Sequence, residues 1–176
     1  MFRDNSLIPS EAIRLAALGF LAEGPRRYGE LAAAIRHFTS CVAGPSLELM
    51  GTSLELLRYE GLASSESGAN AETATLAITE TGRQTLRTLL KARPRAPLGD
   101  LNRLTILLKL RFLQALPADE RQEQMALIAE SVESELARLK DLRRTESGAA
   151  EPFDAWLDHD IAALEARLQG LRVPAS

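Results

Sequence analysis

Apolar side chains recur at intervals of three and four residues in three short segments near the start of the chain, which is the spacing of an amphipathic helix. These segments predict helices over residues 10–23, 28–39 and 47–60. Ser10 and Ser46 are candidate N-caps, and Gly24-Pro25 and Gly61 are candidate stops. The chain is therefore predicted to begin with three short helices, and a connector starting at Cys41 precedes the third.

The period of the apolar positions then changes from that of a helix to that of a strand. Residues 62–66 and 73–79 predict two short strands, and the small residues at 67–70 between them predict a turn. Together these segments predict a β-hairpin. Thr79 is placed to cap a fourth helix, which starts at Glu80 and ends before the RPRAP break at 93–97.

The remainder of the chain has helical periodicity only. It predicts helices over residues 99–115, 119–145 and 153–171. The first of these is apolar on most sides, so we expect it to be buried nearly all round. In the last helix, steps of four and three residues alternate along an a/d seam two heptads long, formed by Leu157, Ile161, Leu164, Leu168 and Leu171. This seam predicts a module that pairs two copies of the chain.

The order helix, helix, helix, hairpin, helix is that of a winged helix-turn-helix. In this architecture the third helix enters the major groove of DNA, and the hairpin is the wing. The predicted fold is mostly α, with a winged helix-turn-helix domain at 1–92 and a C-terminal helical dimerisation domain at 98–176. A dimer suits such a protein because operators carry two half-sites about one helical turn apart.

Several segments resemble the PadR family of transcriptional regulators. The resemblance covers almost the whole chain, and it lies in the order and spacing of LAEGPRRYGEL at 21–31, SLELMGTSLELLRYEGL at 46–62, ITETGR at 78–83 and WLDHDI at 156–161. It implies a homodimer whose winged helices bind a palindromic operator and usually repress. Within it, 46–59 is the expected recognition helix and 62–79 the expected wing.

The resemblance and the charge pattern together indicate which residues are candidates for DNA binding and for dimerisation. The candidate DNA contacts are Arg26, Arg27, Tyr28, Ser46, Thr52, Arg58, Arg83 and Arg87. The candidate dimerisation residues are Trp156, Leu157, Ile161, Leu164 and Leu168. Trp156 is the only tryptophan, and it is expected either to anchor the dimer core or to line a pocket between subunits for a flat apolar ligand.

The charge of the chain is unevenly distributed. The net charge of −3 and the pI of about 5.5 argue against a general nucleic-acid binder. However, residues 81–111 contain eight basic side chains and one acidic side chain, between two acidic segments. Arg83, Arg87 and Lys91 form a cationic edge on the fourth helix. These cations can follow DNA phosphates, or they can pair with the acidic helices at 119–165.

The predicted recognition helix itself carries acidic residues. Opposite its buried stripe lie Glu48, Thr52, Glu55 and Tyr59. The wing contains no basic residue, although phosphate contacts come mainly from Lys and Arg. An alternative is therefore a winged-helix regulator that binds another protein through a face formed by Glu48, Leu49, Glu55 and Leu56.

No constellation of residues indicates catalysis or a metal site. The two histidines, His37 and His159, are far apart, and Cys41 is the only cysteine. Asp154, Asp158 and His159 share the last helix. Asp154 and Asp158 lie one helical turn apart and could hold a metal only if other ligands converged on them. We therefore expect a non-enzyme that needs no cofactor or metal. Without a signal-peptide pattern or an apolar run of about 20 residues, we expect a cytoplasmic protein with no membrane partner.

Overall fold

The computed structural model describes residues 7–43, 50–65, 74–94, 99–146 and 151–172. Helix α1 spans Pro9–Glu23. The prediction that Ser10 caps it is wrong, because the helix already begins at Pro9, a residue favoured in the first turn. Instead, the Glu11 carboxylate accepts a hydrogen bond of 2.9 Å from the backbone N–H of Ile8.

Helices α2 and α3 follow. Helix α2 spans Tyr28–Ala43, so Cys41 lies in the helix and the predicted connector at this residue is wrong. The apolar stripe simply continues through Val42, which packs against the core. Helix α3 spans Met50–Tyr59, and its predicted cap, Ser46, lies outside the described residues.

The end of α3 is confirmed at Gly61. Its φ of +71° is the left-handed conformation that glycine adopts without strain. The N–H of Gly61 donates to the carbonyl of Arg58 (3.1 Å), and the N–H of Leu62 donates to that of Leu57 (2.8 Å). This Schellman pattern closes the last turn and directs the chain into the sheet.

The predicted hairpin is confirmed as strands β2, Ala63–Ser65, and β3, Thr75–Ile78. They pair antiparallel, with Ala63 opposite Ile78. A further strand, β1 at Arg26–Arg27, pairs with the other edge of β3, so the sheet order is β1-β3-β2. Sequence periodicity did not predict β1, because two residues are too few to show a period.

Helix α4 spans Glu80–Leu90, and its predicted cap is confirmed. The Thr79 hydroxyl accepts from the N–H of Gly82 (3.0 Å) and donates to the carbonyl of Gly61 (2.7 Å). One side chain thus joins the start of α4 to the end of α3 and fixes α3 relative to the base of the hairpin.

The C-terminal part contains α5 at Asp100–Arg111, α6 at Ala118–Thr145 and α7 at Glu151–Arg172. The single helix predicted over 99–115 is wrong at its end, because a 3-10 turn follows at Leu113–Ala115. The expectation of burial on nearly all sides is also wrong. Leu104 and Leu108 are buried, whereas Ile106, Leu107 and Leu110 are half-buried and Arg103 is exposed.

One hydrophobic core crosses the predicted domain boundary. It unites side chains of α1 to α4 with Leu104, Leu108, Phe112 and Leu116. The rings of Phe20 and Phe112 meet edge to face, with centroids 5.2 Å apart. Helix α5 therefore packs on the winged helix, and the division at 92 and 98 stays a prediction. The fold class, a mostly helical winged helix-turn-helix, is confirmed.

Helices α6 and α7 form an antiparallel hairpin. Its apolar seam consists of Val132 and Leu136 from α6 with Leu164 and Leu168 from α7. Ion pairs flank the seam, among them Lys140–Glu165 at 2.6 Å and Arg143–Asp158 at 2.8 Å. The hydrogen bond to Asp158 raises the pKa of Arg143. The heptad repeat of α7 therefore packs against α6 of the same chain.

Lys109 is buried at the junction between the winged helix and this hairpin. Its side chain is 0% exposed. The ammonium donates to the carbonyl of Ala92, just after α4, and to the side-chain oxygen of Gln124 on α6 (2.9 Å). Burial lowers the pKa of Lys109 from 10.5 to about 8. A single cation therefore links α4, α5 and α6.

Stability is expected to depend on pH through Lys109. Between pH 8 and 10.5 the unfolded chain keeps this proton while the folded chain has lost it, so the free energy of unfolding rises with pH. The expected rise is about 3 kcal/mol. Urea unfolding of wild type and Lys109→Met across this range measures it. The wild-type value should rise relative to the variant, and parallel pH profiles would contradict the assignment.

Candidate nucleic-acid interface

Helix α3 presents an exposed face on the surface of the winged helix. Leu54 and Leu57 are buried in the core and orient the helix. An ion pair between Arg14 of α1 and Glu60 (2.9 Å) holds its C-terminal end. The outward face consists of Glu55, Leu56, Arg58 and Tyr59, with Leu56 44% and Tyr59 90% exposed. This face mixes apolar, acidic and basic groups.

Several residues of the predicted interface lie outside the part of the chain that the structure describes. Ser46, Glu48 and Leu49 lie outside the described residues. Thr52 lies in α3, but its side chain is not described. Their predicted roles, as DNA contacts or as part of a protein-binding face, stay predictions.

Three of the predicted DNA contacts are arginines whose guanidinium groups are available for an external partner. They are Arg27 on β1, Arg58 on α3 and Arg83 on α4. All three are exposed, and within the described ranges none forms an ion pair. Unpaired arginine is the group best suited to phosphate, because its planar fork donates two parallel hydrogen bonds.

Arg26 and Tyr28, unlike Arg27, form contacts with other parts of the winged helix. The Arg26 guanidinium lies 5.4 Å from the centroid of the Phe20 ring and 3.1 Å from the Glu23 carboxylate. Tyr28 is half-buried against the core, and its N–H donates to the carbonyl of Ala74 (3.0 Å). The Arg26 side chain thus holds β1 against α1, and the backbone of Tyr28 holds the start of α2 against the residue before β3. A contact with DNA would have to be added to these roles.

Arg87 and Lys91 are held by the C-terminal helices. Arg87 forms two hydrogen bonds with the Glu120 carboxylate, of 2.8 and 3.1 Å, and the ammonium of Lys91 lies 2.6 Å from the same group. Hydrogen bonds from Arg87 and Lys91 lower the pKa of Glu120 to about 2. The alternative in which the basic block pairs with the acidic helices is thus confirmed for these two cations. Arg87 as a phosphate contact stays a prediction.

The described residues contain no cluster suited to metal binding. No group of three or more His, Cys, Asp or Glu side chains converges among them. His37, Cys41 and His159 are all exposed. Among the described helices, none combines the length and the hydropathy needed to cross a membrane.

A family model matches nearly all of the chain. The model described as "Putative AphA-like transcriptional regulator" matches residues 2–174. The chain belongs to the AphA-like family of transcriptional regulators. The sequence-based expectation of a regulator of transcription is confirmed at this level, and the family is one of regulators and not of enzymes.

Solved structures show more distant similarity to this AphA-like chain. Bacillus subtilis PadR is 16% identical with a TM-score of 0.42, covering 94% of each chain. The same protein in complex with operator DNA is 17% identical with a TM-score of 0.41, covering 90% of this chain and 98% of that one. Smu.1604c from Streptococcus mutans UA159 is 18% identical with a TM-score of 0.41, covering 90% and 95%. No curated protein matches the chain.

Two features of the interface were missed from the sequence. Strand β1 places Arg27 beside the wing, and Glu120 is the particular acid that engages Arg87 and Lys91 of the basic block. A charge count along the chain does not show which acid a given arginine meets. The exposure of Tyr59, by contrast, agrees with its predicted position opposite the buried stripe of α3.

Proposed function

We propose that this AphA-like chain is a homodimeric regulator that binds operator DNA through α3 and the wing. The observation that carries the proposal is the position of Arg27, Arg58 and Arg83, which are exposed and without ion pairs in the described winged helix. These arginines supply phosphate contacts while the outward face of α3 lies in the major groove. The protein acts in the cytoplasm and needs neither cofactor nor catalysis.

The charge of α3 makes binding dependent on these arginines. Glu55 repels phosphate, although a glutamate in the groove can accept a hydrogen bond from N4 of cytosine. Three arginines from each of two subunits neutralise up to about six phosphates, so the logarithm of affinity should fall with the logarithm of salt concentration with a slope of about −5.

The test is fluorescence anisotropy with a labelled duplex from immediately upstream of the coding sequence. Titrations at salt concentrations from about 50 to about 200 mM give both the affinity and the salt slope. We expect tighter binding than to an unrelated duplex of equal length, and a steep slope. Absence of binding at the lowest salt concentration would contradict the proposal.

A second candidate function is protein binding through the same face. It is favoured by the exposure of Leu56 and Tyr59 next to Glu55, because exposed apolar and aromatic groups are typical of protein interfaces. In that case α3 docks on a partner protein, and Glu48 and Leu49 extend the surface. A chain that fails to bind DNA at low salt is expected to act in this way.

A further inference from the structure

Helix α4 carries a strip of three cations along one edge. Arg83, Arg87 and Lys91 follow one another at intervals of four residues, so they lie on one side of the helix over about 12 Å. All three are exposed. Leu86 and Leu90, next to this edge, are buried in the core and fix the helix in place. We call Arg83, Arg87 and Lys91 the α4 strip.

The α4 strip begins beside the C-terminal end of α3. The N–H of Arg83 donates to the carbonyl of Thr79 (2.9 Å), and the Thr79 hydroxyl donates to the carbonyl of Gly61, where α3 ends (2.7 Å). Each phosphate of one DNA strand takes up about 3.4 Å of the helix axis, so the strip is long enough for about three phosphates. It is therefore placed to follow a DNA strand that flanks the groove.

Glu120 at the start of α6 binds the two cations of the strip that are farther from α3. Its Oε1 accepts from Nη2 of Arg87 (2.8 Å) and from Nζ of Lys91 (2.6 Å), and its Oε2 accepts from Nε of Arg87 (3.1 Å). Arg83, in contrast, forms no ion pair within the described chain. One carboxylate thus neutralises part of a strip whose first cation is available to an external anion.

The position of Glu120 behind these cations is fixed by the core. Its side chain is 15% exposed, whereas those of Arg87 and Lys91 are 50% and 42% exposed. One turn further along α6, Gln124 is buried and accepts from the buried ammonium of Lys109 (2.9 Å). The pKa of Glu120 is lowered to about 2 by its hydrogen bonds from Arg87 and Lys91, so the carboxylate is charged at neutral pH. An external anion can therefore reach the two cations from solvent, in competition with a permanent charge behind them.

We propose that the α4 strip is a second contact with the DNA backbone, and that Glu120 is a built-in competitor that weakens the binding of Arg87 and Lys91 to phosphate. Without DNA, both cations bind Glu120. On DNA they are shared between Glu120 and the phosphates, and the carboxylate repels the phosphates. Glu120 is therefore an autoinhibitory residue that keeps the affinity for DNA below the value that the arginines and lysines alone would give. This inference rests on the DNA binding of the proposed function and adds the residue that limits it.

The first test is Glu120→Gln, whose amide oxygen still accepts from Arg87 but carries no charge. In the anisotropy titration with the upstream duplex, affinity should rise at least about tenfold at moderate salt. Arg87 and Lys91 of two subunits add up to about four phosphate contacts, so the salt slope should become steeper by up to about 3.6. Loss of stability lowers affinity, so partial unfolding cannot imitate this gain.

Two matched variants separate competition from net charge. Glu133→Gln makes the same charge change on α6, but Glu133 pairs with Arg172 of α7, so affinity should change less than about threefold. Glu120→Asp leaves the net charge unaltered and draws the carboxylate back by one methylene. It should raise affinity in the same direction as Glu120→Gln, but by less.

The second test is a double-mutant cycle between Glu120 and Arg87. Arg87→Gln should weaken DNA binding less than about threefold in the wild-type background, because Glu120 already occupies this guanidinium. In the Glu120→Gln background the same replacement should weaken binding at least about tenfold. Equal factors in the two backgrounds would mean that Glu120 acts only through the net charge of the protein, which overturns the proposal.

The outcomes separate this inference from the proposed function. If the wild type binds DNA and Glu120→Gln binds no more tightly than Glu133→Gln, the role of Glu120 is overturned and the proposed function stands. If the wild type does not bind at the lowest salt concentration but Glu120→Gln does, the inhibitory role is supported and the proposed function fails for the native chain. If neither protein binds any duplex, both are overturned.

Discussion

Replacing Gly82 with alanine is expected to lower the free energy of unfolding by about 2 kcal/mol or more. A Cβ at this position would lie 2.1 Å from the carbonyl oxygen of Leu62 and 2.8 Å from Cγ1 of Ile78. The nearest obstacle is backbone, so no side chain can rotate to relieve the overlap. The gain of about 1 kcal/mol in helix propensity offsets only part of the cost.

This clash is also expected to affect DNA binding, because of where it lies in the fold. Leu62 connects the end of α3 to β2, and its carbonyl accepts from the N–H of Thr79 at the start of α4 (3.1 Å). Pushing α4 away from Leu62 therefore displaces the wing relative to α3. Affinity for operator DNA should fall together with stability in this variant.

Gly29→Ala is the matched control. Gly29 lies in α2 and is exposed, and a Cβ there would meet nothing within 4 Å. Alanine should leave the free energy of unfolding unchanged or raise it by up to about 1 kcal/mol. Urea unfolding of both variants measures the difference, and equal stabilities would contradict the close approach of α4 to Leu62.

Replacing Arg27, Arg58 and Arg83 together with alanine is expected to weaken operator binding at least about 100-fold at moderate salt. Each arginine is lost from both subunits of the dimer, so up to about six phosphate contacts disappear. The salt slope should therefore approach zero. Because none of the three is ion-paired in the described chain, the fold should retain the stability of the wild type.

A second triple variant controls for net charge. Arg138, Arg144 and Arg172 are exposed on α6 and α7, away from the winged helix. Their replacement by alanine changes the net charge equally, but it should alter affinity less than about threefold, since each lies beyond the proposed interface. If both triple variants bind DNA equally well, Arg27, Arg58 and Arg83 do not form the phosphate contacts.

Local periodicity and capping chemistry determine most of the elements that were predicted. Thr79 and Gly61 act at the ends of helices through bonds to residues a few positions away, so short patterns are sufficient to place them. The hairpin followed from a period of two. Segments that depend on distant partners were missed, as with β1, whose two arginines become a strand only because β3 lies beside them.

The candidate site was harder to predict for the same reason. The heptad seam of α7 predicts an apolar partner helix but does not say whether that helix belongs to the same chain, and α6 supplies it. Lys109 appears in the sequence as one more cation of the basic block, yet it is buried between α4 and α6. Arg87 and Arg83 lie on one helix edge, and only the fold shows that Glu120 engages the former.

The most direct test of the central claim, that α3 lies in the DNA groove, is affinity cleavage. An iron chelate is attached to Glu55→Cys in the Cys41→Ser background and is activated on operator DNA. We predict two sites of strand cleavage about one helical turn apart, one from each subunit. The same chelate at Ala162→Cys on α7 should cut weakly or not at all. Equal cleavage from both positions, or none from Glu55→Cys while the complex remains bound, would contradict the account.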